Sequence, residues 1–252
     1  MDLGLTKKNV LVIGASKGIG RAVAKSFAKE KANVTVVARS EDRLVTLLEE
    51  IKNDISENCY EVCDLMQPGN PTKLAEKLLK QNKIFDVVVH AVGGPLEIRD
   101  PLSSVEQWSA VWYYNCGIAI EMNRLLIPPM RKQKWGRVIH ISSISGIMLR
   151  GAAPYASAKA YLNAYTTTLG RAIAQDGVVV SAILPGAVSF EGSYWDKFVK
   201  ENHPRVDDFL SHHQAVGRMG TPEEIACFAV FLGSKQASFA PAALLNIDGG
   251  NM

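Results

Sequence analysis

Short apolar runs alternate along the chain with longer stretches in which apolar residues recur every three or four positions. The short runs predict strands over residues 10–13, 34–38, 59–63, 86–91, 137–142, 178–184 and 244–247, and several are apolar throughout, which is typical of strands buried on both faces. The longer stretches predict helices over residues 19–31, 41–53, 72–81, 105–132, 155–175 and 222–232. This alternation predicts an α/β fold with a parallel sheet of about seven strands and helices on both faces.

A glycine-containing turn follows the first predicted strand. Gly14, Gly18 and Gly20 have the spacing Gly-x-x-x-Gly-x-Gly, which differs from the usual dinucleotide fingerprint and from a P-loop. Glycines let the backbone turn tightly and approach a pyrophosphate at the start of the next helix, although three glycines also suit a plain turn. Because the turn opens the first βα unit, we expect a Rossmann-like, doubly wound sheet with a nucleotide at this position.

The end of the second predicted strand indicates which nucleotide binds. An NAD enzyme carries an acid there for the ribose hydroxyl, whereas this chain has Arg39 followed by Ser40. With Lys17 of the glycine turn, these residues could surround a 2′-phosphate through charge-assisted hydrogen bonds. Ser40 also suits the cap of a helix that begins with Glu41 and Asp42. The pattern favours NADP(H) over NAD.

The composition limits the other partners. The 252 residues are 47% hydrophobic and 21% charged, which is enough apolar material for a full core, and the net charge is +3. The 28 basic residues are dispersed, which argues against nucleic acid and against a polybasic membrane surface. No apolar run is long enough to span a membrane, and the first nine residues lack a signal-peptide core. We expect a cytoplasmic protein with a single domain over residues 1–252.

The cysteines carry no pattern of a metal site or a redox motif. No Cys-x-x-Cys pair and no matching histidine spacing occurs among Cys59, Cys63, Cys116 and Cys227. Buried, reduced thiols and no metal are therefore predicted.

The stretch from Ser143 to Lys159 carries the candidate chemistry. Tyr155 and Lys159 lie four residues apart, so a helix would place them on one face. A phenol has a pKa of about 10, and a nearby ammonium favours the phenolate and lowers that pKa. Ser143 adds a hydroxyl that could hold a carbonyl or alcohol oxygen against the tyrosine. A Tyr-x-x-x-Lys pair also occurs by chance, and a serine at a strand end is often only a cap.

Taken in order, the glycine turn, Ser143 and the Tyr155/Lys159 pair resemble those of the short-chain dehydrogenase/reductase family, in particular its 3-oxoacyl reductase-like members. The resemblance runs nearly end to end. It implies that Tyr155 is the acid/base, that Lys159 holds the nicotinamide ribose and lowers the tyrosine pKa, and that Ser143 orients the substrate. Asn115, in the preceding helix, matches an asparagine that supports a proton relay.

The glycine turn, the basic strand end and the family pattern together predict a set of cofactor-binding residues. They are Gly14, Ser16, Lys17, Gly18, Ile19, Gly20, Arg39, Ser40, Asp64, Leu65, Ala91, Gly93, Tyr155, Lys159, Pro185, Gly186 and Val188.

Several positions depart from the family pattern, among them Ala240-Pro241 in place of a common Thr-Gly. Ile13 and His90 replace residues that support each other between neighbouring strands, which suggests an apolar repacking with a buried, hydrogen-bonded histidine, although His90 could be functional. Phe190 stands where a threonine typically meets the cofactor carboxamide. Either Ser189 substitutes for it or the lid closes differently.

Substrate choice is expected in a lid over residues 189–216, because loops at the carboxyl edge of a parallel sheet form the binding crevice. Apolar cover could come from Tyr194, Trp195, Phe198 and Phe209, and hydrogen-bond donors from His203, Arg205, His212 and His213, although these residues also suit a helical lid with an amphipathic face. Met148, Leu149 and Arg150, between the serine and the tyrosine, are expected to face the substrate. Carrier-binding relatives tend to have a basic residue where this chain has Asp176, so a free polar or anionic ketone is preferred.

These observations predict an NADP(H)-dependent oxidoreductase that interconverts a ketone and a secondary alcohol. The resemblance implies a homodimer or homotetramer, formed through the helices that carry Asn115 and Tyr155, and Pro128-Pro129 should end or bend the former helix. The alternative is a catalytically silent NADP-binding sensor or scaffold of the same fold. A sugar-nucleotide epimerase of the longer related family is disfavoured, since the chain has no room for its substrate domain.

Overall fold

A seven-stranded sheet forms the centre of the computed structural model, which describes residues 2–81 and 84–251. All strand pairs are parallel, in the order β3-β2-β1-β4-β5-β6-β7. The strands are β1 Asn9–Ile13, β2 Asn33–Ala38, β3 Cys59–Val62, β4 Val87–His90, β5 Gly136–Ile141, β6 Val178–Pro185 and β7 Leu244–Ile247. The predicted doubly wound sheet is therefore confirmed.

Helices cover both faces of this sheet. The helices are α1 Gly18–Lys29, α2 Glu41–Ile51, α3 Asn70–Lys80, α4 Val105–Trp112, α5 Ile118–Lys132, α6 Ser145–Met148, α7 Ala153–Ile173, α8 Asp196–Lys200, α9 Pro204–His213 and α10 Pro222–Gly233. One apolar core packs α1, α2 and α10 against the sheet, and a second packs α3, α5 and α7 against the opposite face. Strands between two such layers lose water on both faces, which explains their continuous apolar runs.

The strand order places one crevice at the carboxyl edge of the sheet. The order reverses between β1 and β4, so the chain leaves these two neighbouring strands toward opposite faces. In register, Ile13 pairs with His90 at the ends of these strands. The glycine turn after β1 and the loop after β4 therefore meet beside the ends of β5 and β6.

The long helix predicted over residues 105–132 differs in two ways. A π-helical turn, Tyr113–Gly117, separates α4 from α5. Pro128 and Pro129 do not end the helix, because each keeps a helical φ and removes only its own N–H donor, and the Pro129 carbonyl still accepts from Gln133. The short helix α6 was not predicted from the sequence.

The predicted burial of the cysteines is wrong in part. Cys116 is buried and Cys63 half-buried, but Cys59 and Cys227 are exposed. Cys59 lies on the edge strand β3, which no further strand covers, and Cys227 lies on α10. No helix in the described residues is long and apolar enough to cross a membrane.

Candidate active site

A single cleft of about 1180 Å³ lies at the carboxyl edge of the sheet and collects most of the predicted site residues. Of the predicted set, it is lined by Gly14, Ser16, Lys17, Ile19, Gly20, Arg39, Asp64, Leu65, Ala91, Gly93, Ser143, Tyr155, Lys159, Pro185, Gly186 and Val188. Gly18, Ser40 and Asn115 are outside the lining. The volume is large enough for a dinucleotide together with a small substrate.

The glycine turn is shaped by close backbone contacts. Gly14 has φ +91°, and a Cβ there would lie 2.9 Å from the backbone of Ala91. A Cβ on Gly20 would lie 2.2 Å from the Gly14 carbonyl oxygen, so neither position tolerates a side chain. The following helix α1 begins with no acidic residue in its first turn and no capping side chain. Its first amide groups are therefore available to an anion.

The predicted phosphate-binding residues are only partly together. Arg39 and Ser40 are exposed at the end of β2, and Ser40 stands at the cap position of α2 without a capping hydrogen bond. The Lys17 ammonium instead donates to the Gly192 carbonyl, at 3.2 Å. Lys17 thus contacts the lid. Ser40, which is next to Arg39, does not use its hydroxyl to cap α2.

Ser143, Tyr155 and Lys159 converge on the cleft from two elements. Ser143 follows β5 directly, while Tyr155 and Lys159 lie one turn apart at the start of α7. The Ser143 side chain forms a hydrogen bond with the Tyr155 phenol, and its Oγ accepts from the Ser145 amide at 3.1 Å. The Lys159 Nζ lies 5.7 Å from the centre of the Tyr155 ring and donates to the Ile141 carbonyl at 2.9 Å.

The pKa of Tyr155 moves in the direction opposite to that predicted. Burial raises the pKa of the phenol, and the hydrogen bond from Ser143 opposes this only in part. Burial also lowers the pKa of Lys159 to about 8, which the nearby Cys116 thiol opposes. Burial of the phenol therefore outweighs the lowering that was expected from the lysine's charge.

Asn115 braces the backbone of the cleft from behind. It lies in the π-helical turn, and its Oδ1 accepts from the Gly94 amide at 3.0 Å while its Nδ2 donates to the Gly94 and Val111 carbonyls. Gly93 packs directly on this side chain, since a Cβ there would lie 2.6 Å from the Asn115 Oδ1 and 3.1 Å from the Lys159 Nζ. π-Helical turns often mark functional sites, and this one aims Asn115 at the loop after β4.

His90 is buried and hydrogen-bonded, one of the two interpretations that its sequence position allowed. Its Nε2 lies 2.9 Å from the Asn123 Oδ1, and the Asn123 Nδ2 contacts the His140 Nε2 at 3.2 Å. The His140 Nδ1 in turn lies 2.8 Å from the Thr166 hydroxyl. The expected apolar repacking holds for Ile13, which joins an apolar core, whereas His90 brings in a polar network.

Phe190 packs against the glycine turn. A Cβ on Gly18 would lie 2.5 Å from the Phe190 ring, so the ring rests on the start of α1 and covers Gly18. The Ser189 amide donates to the Gly220 carbonyl at 3.0 Å, and Val188 forms a bridge with Gly220. The residue in place of the family's threonine is therefore a wall of the cleft.

The predicted lid, residues 189–216, contains the helices α8 and α9, which is one of the two interpretations that its sequence allowed. Of its predicted residues, Tyr194, Trp195, Phe209, Arg205 and His213 line the cleft, whereas Phe198, His203 and His212 do not. Trp195 and Phe209 stack with ring centres 4.5 Å apart and fix the two helices against each other.

Loops outside the lid also line the cleft. Met148 and Arg150 line it as expected, but Leu149 has φ +53° and points its 69% exposed side chain elsewhere. Arg99, in the loop after β4, also lines the cleft and was missed. Its position after a strand end at the carboxyl edge was the signal that could have found it.

Comparisons with known proteins agree with this geometry. Residues 14–251 match the family described as enoyl-(acyl carrier protein) reductase. The chain is 30% identical over 252 residues to the 3-oxoacyl-[acyl-carrier-protein] reductase of Chlamydia muridarum, with 99% of each chain covered.

Solved structures with the same architecture include two reductases. The L-sorbose reductase of Gluconobacter frateurii, in complex with NADPH and L-sorbose, is 28% identical with a TM-score of 0.91, covering 99% of this chain and 98% of that one. A 3-oxoacyl (acyl-carrier-protein) reductase from Agrobacterium tumefaciens with NADP bound is 25% identical, with a TM-score of 0.90 and coverage of 98% and 95%.

Proposed function

Because this chain belongs to the short-chain dehydrogenase/reductase family of oxidoreductases, we propose that it interconverts a ketone and a secondary alcohol with NADP(H) as the cofactor. The observation that carries the proposal is the convergence of Ser143, Tyr155 and Lys159 on one cleft with the glycine turn. The NADPH and NADP bound to two similar reductases support the choice of cofactor.

The residues of the cleft fit such a cofactor. The uncapped start of α1 and the side-chain-free surface of Gly14 and Gly20 suit a pyrophosphate. Arg39 and the unbonded hydroxyl of Ser40 would hold the 2′-phosphate, which a carboxylate in place of Arg39 would repel. Lys17, bound to Gly192, takes part only if it leaves the lid.

The catalytic roles follow from position and protonation. The chemistry that bound NADP(H) supplies is hydride transfer to or from the substrate carbon. In reduction, the Tyr155 phenol donates its proton to the carbonyl oxygen, and the raised pKa of the phenol keeps that proton in place at neutral pH. Ser143 donates a hydrogen bond to the same oxygen, and the Lys159 ammonium stabilises the phenolate that remains. Alcohol oxidation reverses these transfers.

Asn115 is a positioning residue in this proposal. Its side chain fixes the Gly93-Gly94 backbone, and Gly93 in turn packs against the Lys159 ammonium. Any relay of protons toward Lys159 therefore depends on the π-helical turn that holds Asn115.

Kinetics with the purified protein test the proposal. A panel of ketones should oxidise NADPH, with NADH used much less well, and Arg39→Ala should lower kcat/KM for NADPH about 30-fold. Arg43→Ala is the matched control, because Arg43 is exposed on α2 outside the cleft. Tight NADPH binding without turnover of any ketone or alcohol would instead support the catalytically silent sensor.

A carrier-bound 3-oxoacyl substrate is the second candidate, because a similar protein is a 3-oxoacyl-[acyl-carrier-protein] reductase. Asp176 weighs against it. Its carboxylate accepts from Arg131 at 2.6 Å and from Lys134 at 3.1 Å, so it adds a negative charge that offsets one of the two positive charges on this surface. We therefore favour a free ketone, and turnover of an acyl-carrier thioester in preference to a short free ketone would reverse that choice.

Assembly as a homodimer or homotetramer is part of the same proposal. Trp112 and Tyr161 form an exposed aromatic pair across α4 and α7, with ring centres 5.7 Å apart and Tyr161 47% exposed. Exposed aromatic residues of this kind suit an interface. Light scattering that finds only a monomer would contradict this part.

A further inference from the structure

Two arginines share one tyrosine ring on the lid side of the cleft. The Arg99 guanidinium carbon lies 4.7 Å from the centre of the Tyr194 ring, and that of Arg205 lies 5.9 Å from it. Arg99 belongs to the loop between β4 and α4, whereas Arg205 lies at the start of α9, and all three residues line the cleft. The Tyr194 ring is therefore close to one arginine from the loop between β4 and α4 and to one arginine from α9.

The two guanidinium groups lie within cation–π distance of the Tyr194 ring, and this contact does not use their hydrogen-bond donors. A guanidinium on an aromatic ring is held through its flat face, and its N–H groups stay available for a carboxylate or phosphate. Among residues 2–81 and 84–251, no side-chain hydrogen bond is formed by either guanidinium. Arg205 has a second aromatic neighbour, Phe198, at 5.4 Å.

The nearby carboxylates do not neutralise the pair. Glu97 approaches Arg99 only to 3.9 Å and is 89% exposed, so water screens this contact. Asp208 also lines the cleft, but its carboxylate lies 3.2 Å from the His212 ring. The lid side of the cleft thus presents two guanidinium groups to whatever lies between the lid and the loop after β4.

We propose that Arg99 and Arg205 bind an oxyanion of the substrate, so that the enzyme acts on carbonyl compounds carrying a carboxylate or a phosphate. This inference rests on the proposed ketone reduction, because the same cleft holds Tyr155 and Ser143. The anion bridges the β4 loop and the lid, and Tyr194 holds the two arginines ready for it. Preorganised guanidinium groups lose little conformational freedom on binding, which favours specificity for the anion over a neutral analogue.

Matched pairs of ketones test this selectivity. The first pair is 4-oxopentanoate and its methyl ester, and the second is dihydroxyacetone phosphate and dihydroxyacetone, so that carboxylate and phosphate are separated. For the wild-type enzyme, kcat/KM should favour the anion in one pair about 30-fold or more. Arg99→Gln and Arg205→Gln should each bring this ratio close to one, through a higher KM for the anion. Arg171→Gln, an exposed residue of α7 outside the cleft, should leave it unchanged.

The outcomes separate this inference from the function on which it rests. If no ketone, charged or neutral, oxidises NADPH, the proposed function fails. If neutral ketones react and neither anion is preferred, only the oxyanion site is wrong. An anion preference that survives both glutamine substitutions would assign the anion to other residues and also overturn the inference. Thermal melting of each variant confirms that the protein is folded, which the exposure of both arginines favours.

Discussion

Two clusters of polar residues lie near each other at β5 and α7. In one cluster the hydrogen bonds stay within the protein, whereas the other lines the cleft. His140 of β5 and Thr166 of α7 belong to a network that runs through Asn123 to His90. Closer to the carboxyl edge, Ser143 and the Tyr155/Lys159 pair come from the same two elements. The first cluster is closed within the protein, whereas the second opens on the cleft.

The closed cluster leaves little room for chemistry. Asn123 donates to His140 and to the Tyr165 hydroxyl, and the Thr166 hydroxyl donates to the Leu162 carbonyl. With these groups satisfied, burial keeps both histidines neutral: it lowers the pKa of His90 to about 4 and that of His140 well below its ordinary value. Such a network contributes to stability and to a unique packing, because each lost partner leaves a buried polar atom unsatisfied.

The open cluster lines the cleft. Tyr155 retains its proton through burial, and Lys159, with its pKa at about 8, remains mostly charged at neutral pH. The two clusters contain similar buried polar residues. They differ in whether the hydrogen bonds of these residues are all satisfied within the protein. Substitutions in the two clusters should therefore change different quantities.

Tyr155→Phe gives the largest expected effect and leaves stability alone. The substitution removes the proton donor but almost no volume, so kcat should fall about a thousandfold while NADPH binding survives. Turnover and fluorescence titration of NADPH measure the two properties. Activity near that of the wild type would refute the assigned role of Tyr155 and the contrast between the clusters.

Asn123→Ala should show the reverse pattern. It removes the partner of the His90 Nε2, the His140 Nε2 and the Tyr165 hydroxyl, so the free energy of unfolding should fall by about 3 kcal/mol. Urea denaturation measures this, and the fraction that remains folded should keep most of its kcat. Thr168→Ala is the control, because that exposed hydroxyl bonds only to its own helix. A loss of kcat without a loss of stability would move Asn123 into the catalytic machinery.

Gly93→Ala tests whether the activity tolerates a displacement of Asn115 or Lys159. The added methyl group would lie 2.6 Å from the Asn115 Oδ1 and 3.1 Å from the Lys159 Nζ, so one of them must shift. A shift of this size should lower kcat/KM about a hundredfold. Gly220→Ala is the matched control, since its Cβ would meet Val188 at an ordinary 3.5 Å. Equal activities of the two variants would show that Asn115 and Lys159 need no close support.

The fold and the placement of Tyr155 and Lys159 on one helical face could be predicted from the sequence because both depend on local pattern. Apolar periodicity placed the strands, and four-residue spacing placed Tyr155 and Lys159 on one helical face. The direction of the Tyr155 pKa shift could not be read this way. It depends on how deeply the phenol is buried, which is set by tertiary packing.

The lid side of the cleft shows the same limit. Arg99 and Arg205 are far apart in the chain, and only the position of Tyr194 brings them to one ring. The π-helical turn around Asn115 likewise follows from packing rather than from periodicity, which predicted a continuous helix.

Acid should weaken the closed cluster before it affects the surface carboxylates. The pKa of His90 is about 4 in the folded chain against an ordinary value of 6.5, so the unfolded chain binds the proton more readily. The stability due to neutral His90 is therefore complete above pH 6.5 and is lost as the pH falls toward 4, by about 2 kcal/mol between pH 6.5 and pH 5. Hydrogen bonds from Lys134 and Arg131 lower the pKa of Asp176, and one from Arg218 lowers that of Glu224, so the stability that these carboxylates contribute is lost only as the pH falls below their ordinary values of 3.8 and 4.5.

Denaturation in urea at pH 7 and pH 5 measures this loss, and His90→Gln separates its source. A glutamine amide can still donate to the Asn123 Oδ1 but cannot take up a proton, so the variant should lose clearly less stability between the two pH values. Some loss should remain, because the pKa of His140 is lowered in the same direction. If the wild type and His90→Gln lose equal stability between the two pH values, His90 does not govern this acid response.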